Sequence, residues 1–383
     1  MALVVLGAEG LSRLYDPDYL VSTRGLHVFS PTYGWTLRKG TSVVVDGKRV
    51  SLNARGYRGR ELSVPKSGDR KRLIVLGDSI AFGLDVSDEE TFTHLLDVRD
   101  NGIEAGNLAV QGYGSGQELL VLSREGLRYD PDVVLLAFCL SNDFADAVLP
   151  VALYDGRTPK PRFRLVGDRL VLDDSNLRLA GPRRVLQWLG DHSHLFNRGS
   201  ALGSGAEPPA GLHWRERRRE ALRDEDYALR LTLALIRRMD AVSRERGAAF
   251  LVAVFPTEFA WRGKSRLSAA LISSLETDGI GVVDMAARFR ALGLSFDAVA
   301  FDPIGHLNPA GHSVASDIIE REIASLAPVP SAAPPSQAPD GPPDLTGRTA
   351  LHSPRSDAGA RPRLRRKPLA LRPGRRRAAA TRS

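Results

Sequence analysis

The chain has 383 residues, 43% of them hydrophobic, enough for one large α/β domain with appendages and a proper core. Its single cysteine, Cys139, excludes an intramolecular disulfide, and no apolar run reaches the roughly 18 residues that a membrane-spanning helix needs. The net charge is +8, but residues 326–383 alone carry +9; the remainder is nearly neutral at −1, so no nucleic-acid binding is expected of the folded part.

Residues 1–70 read as a preamble. The apolar opening at 1–7 is too short to span a bilayer and lacks the basic residues that precede the core of a signal peptide. Two β-rich runs flank Asp46-Gly47, a strong hairpin signal within 41–52. Asn53, Gly56 and Arg58 follow, with Arg55 and Arg58 expected to tie the preamble to the main domain by surface pairs rather than to line a cleft.

The main domain, 71–325, opens on an apolar strand at 73–76 that ends at Gly77-Asp78-Ser79, a turn-forming tripeptide. Four further apolar or β-branched runs lie at 103–109, 133–138, 250–255 and 281–284, separated by helical patterns such as 91–98, 116–128 and 225–246. That alternation predicts a parallel sheet covered by helices on both faces. Polar punctuation follows two of the inner strands, as Asn107 to Gly112 and as Leu140-Ser141-Asn142-Asp143. Near the far end, Asp302 and His306 precede an apolar helix that carries His312.

Residues 145–222 are longer than a connection requires and form a candidate lid or substrate-selecting wall. They offer a hairpin around Gly167-Asp168, an amphipathic helix over 183–197 and a glycine- and proline-rich stretch at 199–211. His192, His194 and His213 lie here without metal-ligand spacing and are expected to face solvent. Cys139, in an apolar run, is expected to be an inert strand thiol. From Leu326 the composition turns to proline, alanine, serine and arginine, a tail expected to be disordered. Its basic runs suit weak contact with phosphates or anionic headgroups, although a solvated extension is the plainer expectation.

The four punctuations, around Ser79, Gly112, Asn142 and Asp302/His306, resemble in this order the SGNH (GDSL-type) hydrolase family over roughly residues 70–325. The resemblance implies a flavodoxin-like α/β/α sandwich of three layers, with a five-stranded parallel sheet in strand order 2-1-3-4-5. It also includes the Asn53-x-x-Gly56-x-Arg58 element ahead of the nucleophile block. Relatives often begin with a membrane helix ending in a Glu-x-x-x-Arg-like segment, which Glu9 and Arg13 resemble. The chain as written is expected to be soluble, and a start codon upstream would make it membrane-anchored and extracytoplasmic.

Ester hydrolysis needs a nucleophile, a base and donors for the developing oxyanion. The expectation is that Ser79 attacks, His306 takes its proton and Asp302 orients the imidazole. The resemblance places the acid three residues before the histidine, whereas here the gap is four; both spacings return to one face of a helical turn. His312 is the competing base and is expected to be structural. The expected oxyanion donors are the backbone N–H groups of Ser79 and Gly112 and the side-chain amide of Asn142. Leu140 stands where many relatives have glycine, which leaves the course of the Asn142 loop open. Asp78 and Asp143 are expected to cap turns. No cofactor or metal is called for. The implied activity is hydrolysis of a small acyl ester, acetyl foremost, in a small-molecule or acetylated-carbohydrate substrate. The alternatives are an O-acyltransferase using the same site on a sugar hydroxyl, and a non-catalytic binding module.

Overall fold

The computed structural model describes residues 2–15, 25–178, 181–196, 213–263 and 265–326. The glycine- and proline-rich stretch at 199–211 and the basic tail from 327 lie outside the described residues.

Helix α1 (Ala2–Tyr15) is followed by two small antiparallel hairpins, β1 (His27–Ser30) with β2 (Gly34–Leu37) and β3 (Ser42–Val45) with β4 (Lys48–Ser51). The second is the predicted one, with Asp46 and Gly47 both at positive φ, as a tight two-residue turn demands. The first was not predicted: its strands are four residues each, and only Gly34 at φ 88° punctuates them.

The main sheet consists of β5 (Lys71–Gly77), β6 (Ile103–Asn107), β7 (Val133–Cys139), β10 (Ala249–Phe255) and β11 (Gly281–Asp284). All neighbours are parallel and the spatial order is β6-β5-β7-β10-β11, which is 2-1-3-4-5 among the sheet strands. The third antiparallel pair, β8 (Arg162–Val166) with β9 (Arg169–Asp173), is the hairpin predicted around Gly167. Strand β7 is central and all seven of its residues are buried, which is why its sequence is continuously apolar instead of alternating.

The helices complete three layers. Packed together on one side are α4 (Ser115–Arg124), α5 (Asp143–Val148), α8 (Glu225–Arg244) and α9 (Arg266–Thr277); on the other are α3 (Phe92–Val98), α10 (Met285–Ala291) and α11 (Pro309–Ser325). Helix α8 turns Leu231, Leu235, Ile236 and Met239 inward along one stripe, as its 3.6-residue period predicts. The insertion adds α6 (Gly181–His192), against β1, and α7 (Trp214–Ala221), against α5. No helix among the described residues is long and apolar enough to cross a membrane.

Two surface expectations are corrected. Arg58 is 4% exposed. Its guanidinium donates to Asp88 and to the carbonyls of Arg49, Phe82, Gly83 and Val86. It is a buried node joining preamble to main domain, while Arg55 makes the exposed pair with Glu61. His194 is buried too, because the Glu9 carboxylate of α1 gathers the N–H groups of His194 and Leu195 and the Ser193 hydroxyl. His192 and His213 are exposed.

Candidate active site

Strand β5 stops because Gly77 leaves no room for a side chain: a Cβ there would lie 2.8 Å from the Ala81 Cβ and 3.0 Å from the Ala137 carbonyl oxygen. The chain turns into the short helix α2 (Ser79–Phe82), capped by Asp78, whose Oδ1 accepts the Ile80 N–H at 2.9 Å. Ser79 is thereby the first residue of a helix at the carboxyl end of an inner strand. Asn107, at the end of β6, reaches across to the Ala81 carbonyl at 2.7 Å and accepts the Ala109 N–H at 3.0 Å. It fastens the loop leading to Gly112 against the loop carrying Ser79.

From the other end of the sequence, 227 residues away, His306 Nε2 comes within 2.9 Å of Ser79 Oγ. Its Nδ1 lies 2.7 Å from Asp302 Oδ2. The four-residue spacing is met by a tight loop rather than the turn of helix that the spacing suggested. Gly305 adopts φ 106°, where a Cβ would collide with the Pro256 carbonyl oxygen at 2.3 Å. Asp302 Oδ1 accepts the N–H groups of Ile304, Gly305 and His306 at 3.0, 2.9 and 3.2 Å, so one carboxylate both folds the loop and holds the imidazole.

Burial works against the charged forms of both groups, yet their mutual bond prevails: His306 is raised above 6.5 and Asp302 is held below its ordinary value. His312 behaves differently. Burial pushes it down to about 3, its Nδ1 accepts the Phe92 N–H at 3.3 Å, and its ring stacks on Phe92.

Ser79, Gly112 and His306 open on one cavity of about 520 Å³. Gly112 sits at φ 75°, and neither its N–H nor that of Ser79 donates to an acceptor among the described residues. Trp35 from β2 and Tyr154 from the insertion flank Gly112. The Trp35 indole N–H donates to the Gln111 carbonyl at 3.1 Å, pinning the preamble onto the Gly112 loop. His27 adds to the same wall, and burial pushes its pKa down to about 4.

Asn142 is placed otherwise than expected. It does not line the cavity, and its amide donates to Asp143 Oδ1 and Asp146 Oδ2, each at 3.2 Å. The two buried carboxyls satisfy the amide's donors, which a buried side chain needs. Asp143 Oδ2 also accepts the Cys139 N–H at 2.6 Å, the turn-capping part expected of it. Leu140 N–H reaches the Phe255 carbonyl at 3.2 Å and prolongs the β7–β10 pairing into this loop.

Sequence reasoning missed what lies beneath. Asp78, Glu118, Asp143 and Asp146 are all buried, and the Asp146 carboxylate meets Lys160 Nζ at 2.6 Å with both side chains excluded from water. Burial, reinforced by the carboxyls' mutual repulsion, pushes Asp78, Glu118 and Asp143 upward, and burial raises Asp146 against the pull of Lys160. The signal was available as acids interrupting apolar helices, Glu118 just before Leu119-Leu120 and Asp146 between Ala145 and Ala147. Cys139 is buried and its thiol is pushed well up by burial, so it stays inert. Among the described residues no group of acids, histidines and cysteines is arranged to hold a metal.

The 2-1-3-4-5 parallel sheet brings Ser79 and His306 together at its carboxyl edge, the meeting that the resemblance of the four sequence blocks implies. The fold is a three-layer α/β/α sandwich around a five-stranded parallel sheet, as the sequence resemblance implies. No protein-family model matches the chain, and no curated protein matches it. Solved structures similar to it include a GDSL-like lipase from Bacteroides thetaiotaomicron, 13% identical over 69% of this chain and 92% of that one, with TM-score 0.37. A catalytic mutant of the acetylxylan esterase Axe2 from Geobacillus stearothermophilus is 13% identical over 70% and 99%, with TM-score 0.38. The psychrotrophic esterase EstA from Pseudoalteromonas sp. is 12% identical over 66% and 97%, with TM-score 0.34. At that level of likeness, what this chain does is read from its own site.

Proposed function

We propose that the protein is a serine esterase that hydrolyses a small acyl ester, acetyl foremost and on a carbohydrate by preference, through an acyl-enzyme. The observation that carries this reading is the unbroken line Ser79 Oγ–His306 Nε2–Asp302, at 2.9 and 2.7 Å, at the mouth of a cavity of about 520 Å³. Ser79 Oγ attacks the ester carbonyl while His306 Nε2 takes its proton, and Asp302 fixes the tautomer and stabilises the imidazolium. The carbonyl oxygen becomes an anion facing the N–H groups of Ser79 and Gly112. His306 returns the proton to the departing alcohol. Water, deprotonated by the same imidazole, then cleaves the acyl–Ser79 bond and regenerates the hydroxyl. Asn142 supports this site from below, holding the β7–α5 turn to Asp143 and Asp146, in place of the direct donation first expected.

Purified protein should hydrolyse 4-nitrophenyl acetate and take one covalent fluorophosphonate adduct on Ser79. Ser79→Ala should lose both, with a residual rate no more than roughly 10³–10⁴-fold above the uncatalysed one. Equal hydrolysis by parent and variant would sink the proposal.

A further inference from the structure

Beside the catalytic loop lies a second hollow, of about 570 Å³, that the chemistry above does not use. One wall is the loop 302–304 and Phe259; the other is one face of α7, with Arg215, Arg218 and Arg219. These positions, three and four apart, share one side of a helix.

The arginines are unequal. Arg218 is part-buried and donates to the Ser141 and Leu140 carbonyls, which fixes the helix beside the catalytic site. Arg217, on the neighbouring face, reaches the carbonyls of Leu153 and of Tyr154, the latter a residue of the cavity wall. Arg215 and Arg219 are exposed and have no acidic partner among the described residues; Arg215 lies over the Trp214 ring. The acids of α7 are engaged elsewhere, Glu216 with His213 and Glu220 with Arg223. Glu225 also lines the hollow and is its one opposing carboxylate besides Asp302. The Asp302 oxygens are already taken by His306 and three backbone N–H groups. Phe259, 60% exposed, leaves a bare ring on the facing wall.

The position decides which part of an ester this hollow would meet. In acyl transfer the histidine protonates the leaving oxygen, so the leaving alcohol departs on the histidine's side. The hollow is walled by the loop that carries His306, whereas Gly112 and Trp35 belong to the other cavity. We infer that Arg215 and Arg219, facing Phe259 across this hollow, bind an ester whose leaving alcohol is a sugar bearing a negative charge, as carboxylate or phosphate. The inference deepens the esterase reading and rests on it.

The test compares the full chain with the Arg215→Ser/Arg219→Ser double variant, both positions being exposed and outside the catalytic line. The substrates are neutral 4-nitrophenyl acetate, O-acetylated polygalacturonate and an O-acetylated sugar phosphate. Exposed charges contribute modestly, so KM for at least one anionic ester should rise about three- to tenfold at low salt, with the neutral ester unchanged. The difference should close as salt is raised, the parent's KM rising toward the variant's, because exposed charges are screened. Whichever anionic ester responds identifies the carboxylate or the phosphate as the anion. Binding of unacetylated polygalacturonate and of galactose 1-phosphate to Ser79→Ala, by calorimetry, provides a readout free of turnover. An unaltered KM for both anionic esters, or an equal rise for the neutral one, overturns the inference. Failure of the parent to hydrolyse any of the three would instead count against the esterase, and the calorimetry would still decide the anion site.

Discussion

At His306 two influences oppose each other: burial disfavours the imidazolium, and the carboxylate at Nδ1 favours it. The second prevails, so the ring keeps its proton to a pH above 6.5, and the base is competent only once that proton is gone. The rate on 4-nitrophenyl acetate should therefore climb with pH through a midpoint above 6.5. In Asp302→Asn the favourable charge is removed and burial remains, so the midpoint should move to lower pH while kcat drops by roughly 10³–10⁴-fold. A pH–rate profile of both proteins checks the sign; an unmoved midpoint would show that Asp302 does not govern the ring. Ser79 and His306 were legible in the sequence because each sits in a short motif of turn-forming residues. The carboxyls under them were not. A lone Glu118 or Asp146 in an apolar helix has no local pattern, and only folding reveals that Asp146 meets Lys160 and Asn142 while Glu118 is buried near them.

At the scale of elements, the five sheet strands and their covering helices follow from hydrophobic period, and the strand limits differ from the predicted ones by no more than two residues. What period cannot show is how the preamble attaches. Arg58 does this by giving every arm of its guanidinium to backbone carbonyls or to Asp88, in a space that also stacks it on Phe82. Lysine keeps the charge but offers a point donor in place of a planar fork. Arg58→Lys should accordingly cost stability of the order of 3 kcal/mol, the range for breaking a buried charged cluster. Urea denaturation of parent and variant measures it, and a loss under 1 kcal/mol, the scale of an exposed pair, would return Arg58 to the surface role its sequence suggested. The first hairpin escaped prediction for a related reason. Its strands are too short to display alternation, and its Trp35 looks in sequence like any core aromatic.

Across the whole molecule, the proposed catalytic groups Ser79 and His306 stand at the carboxyl end of the sheet, while other cavity walls come from elsewhere: His27 and Trp35 from the preamble, Ala152 and Tyr154 from the insertion. Removing the indole should widen the acyl side and also release the Gln111 carbonyl beside Gly112. Trp35→Ala is expected to raise the kcat/KM ratio of 4-nitrophenyl octanoate to acetate by about tenfold, the scale of pocket-size discrimination. Fluorophosphonate labelling of Ser79 should persist. The same change removes a large buried ring and should lower stability by about 3–5 kcal/mol, so the comparison belongs at low temperature. A ratio that does not move would place the acyl group outside this cavity.

The Trp35–Gln111 bond gives the arrangement a directional character. Through it, an appendage far upstream in the chain grips the peptide next to an expected anion donor, so a change of wall is also a small torque on the reacting end. Variants selected for a new acyl group at position 35 would then be expected to trade turnover for breadth, unless the replacement can still give a proton to that carbonyl.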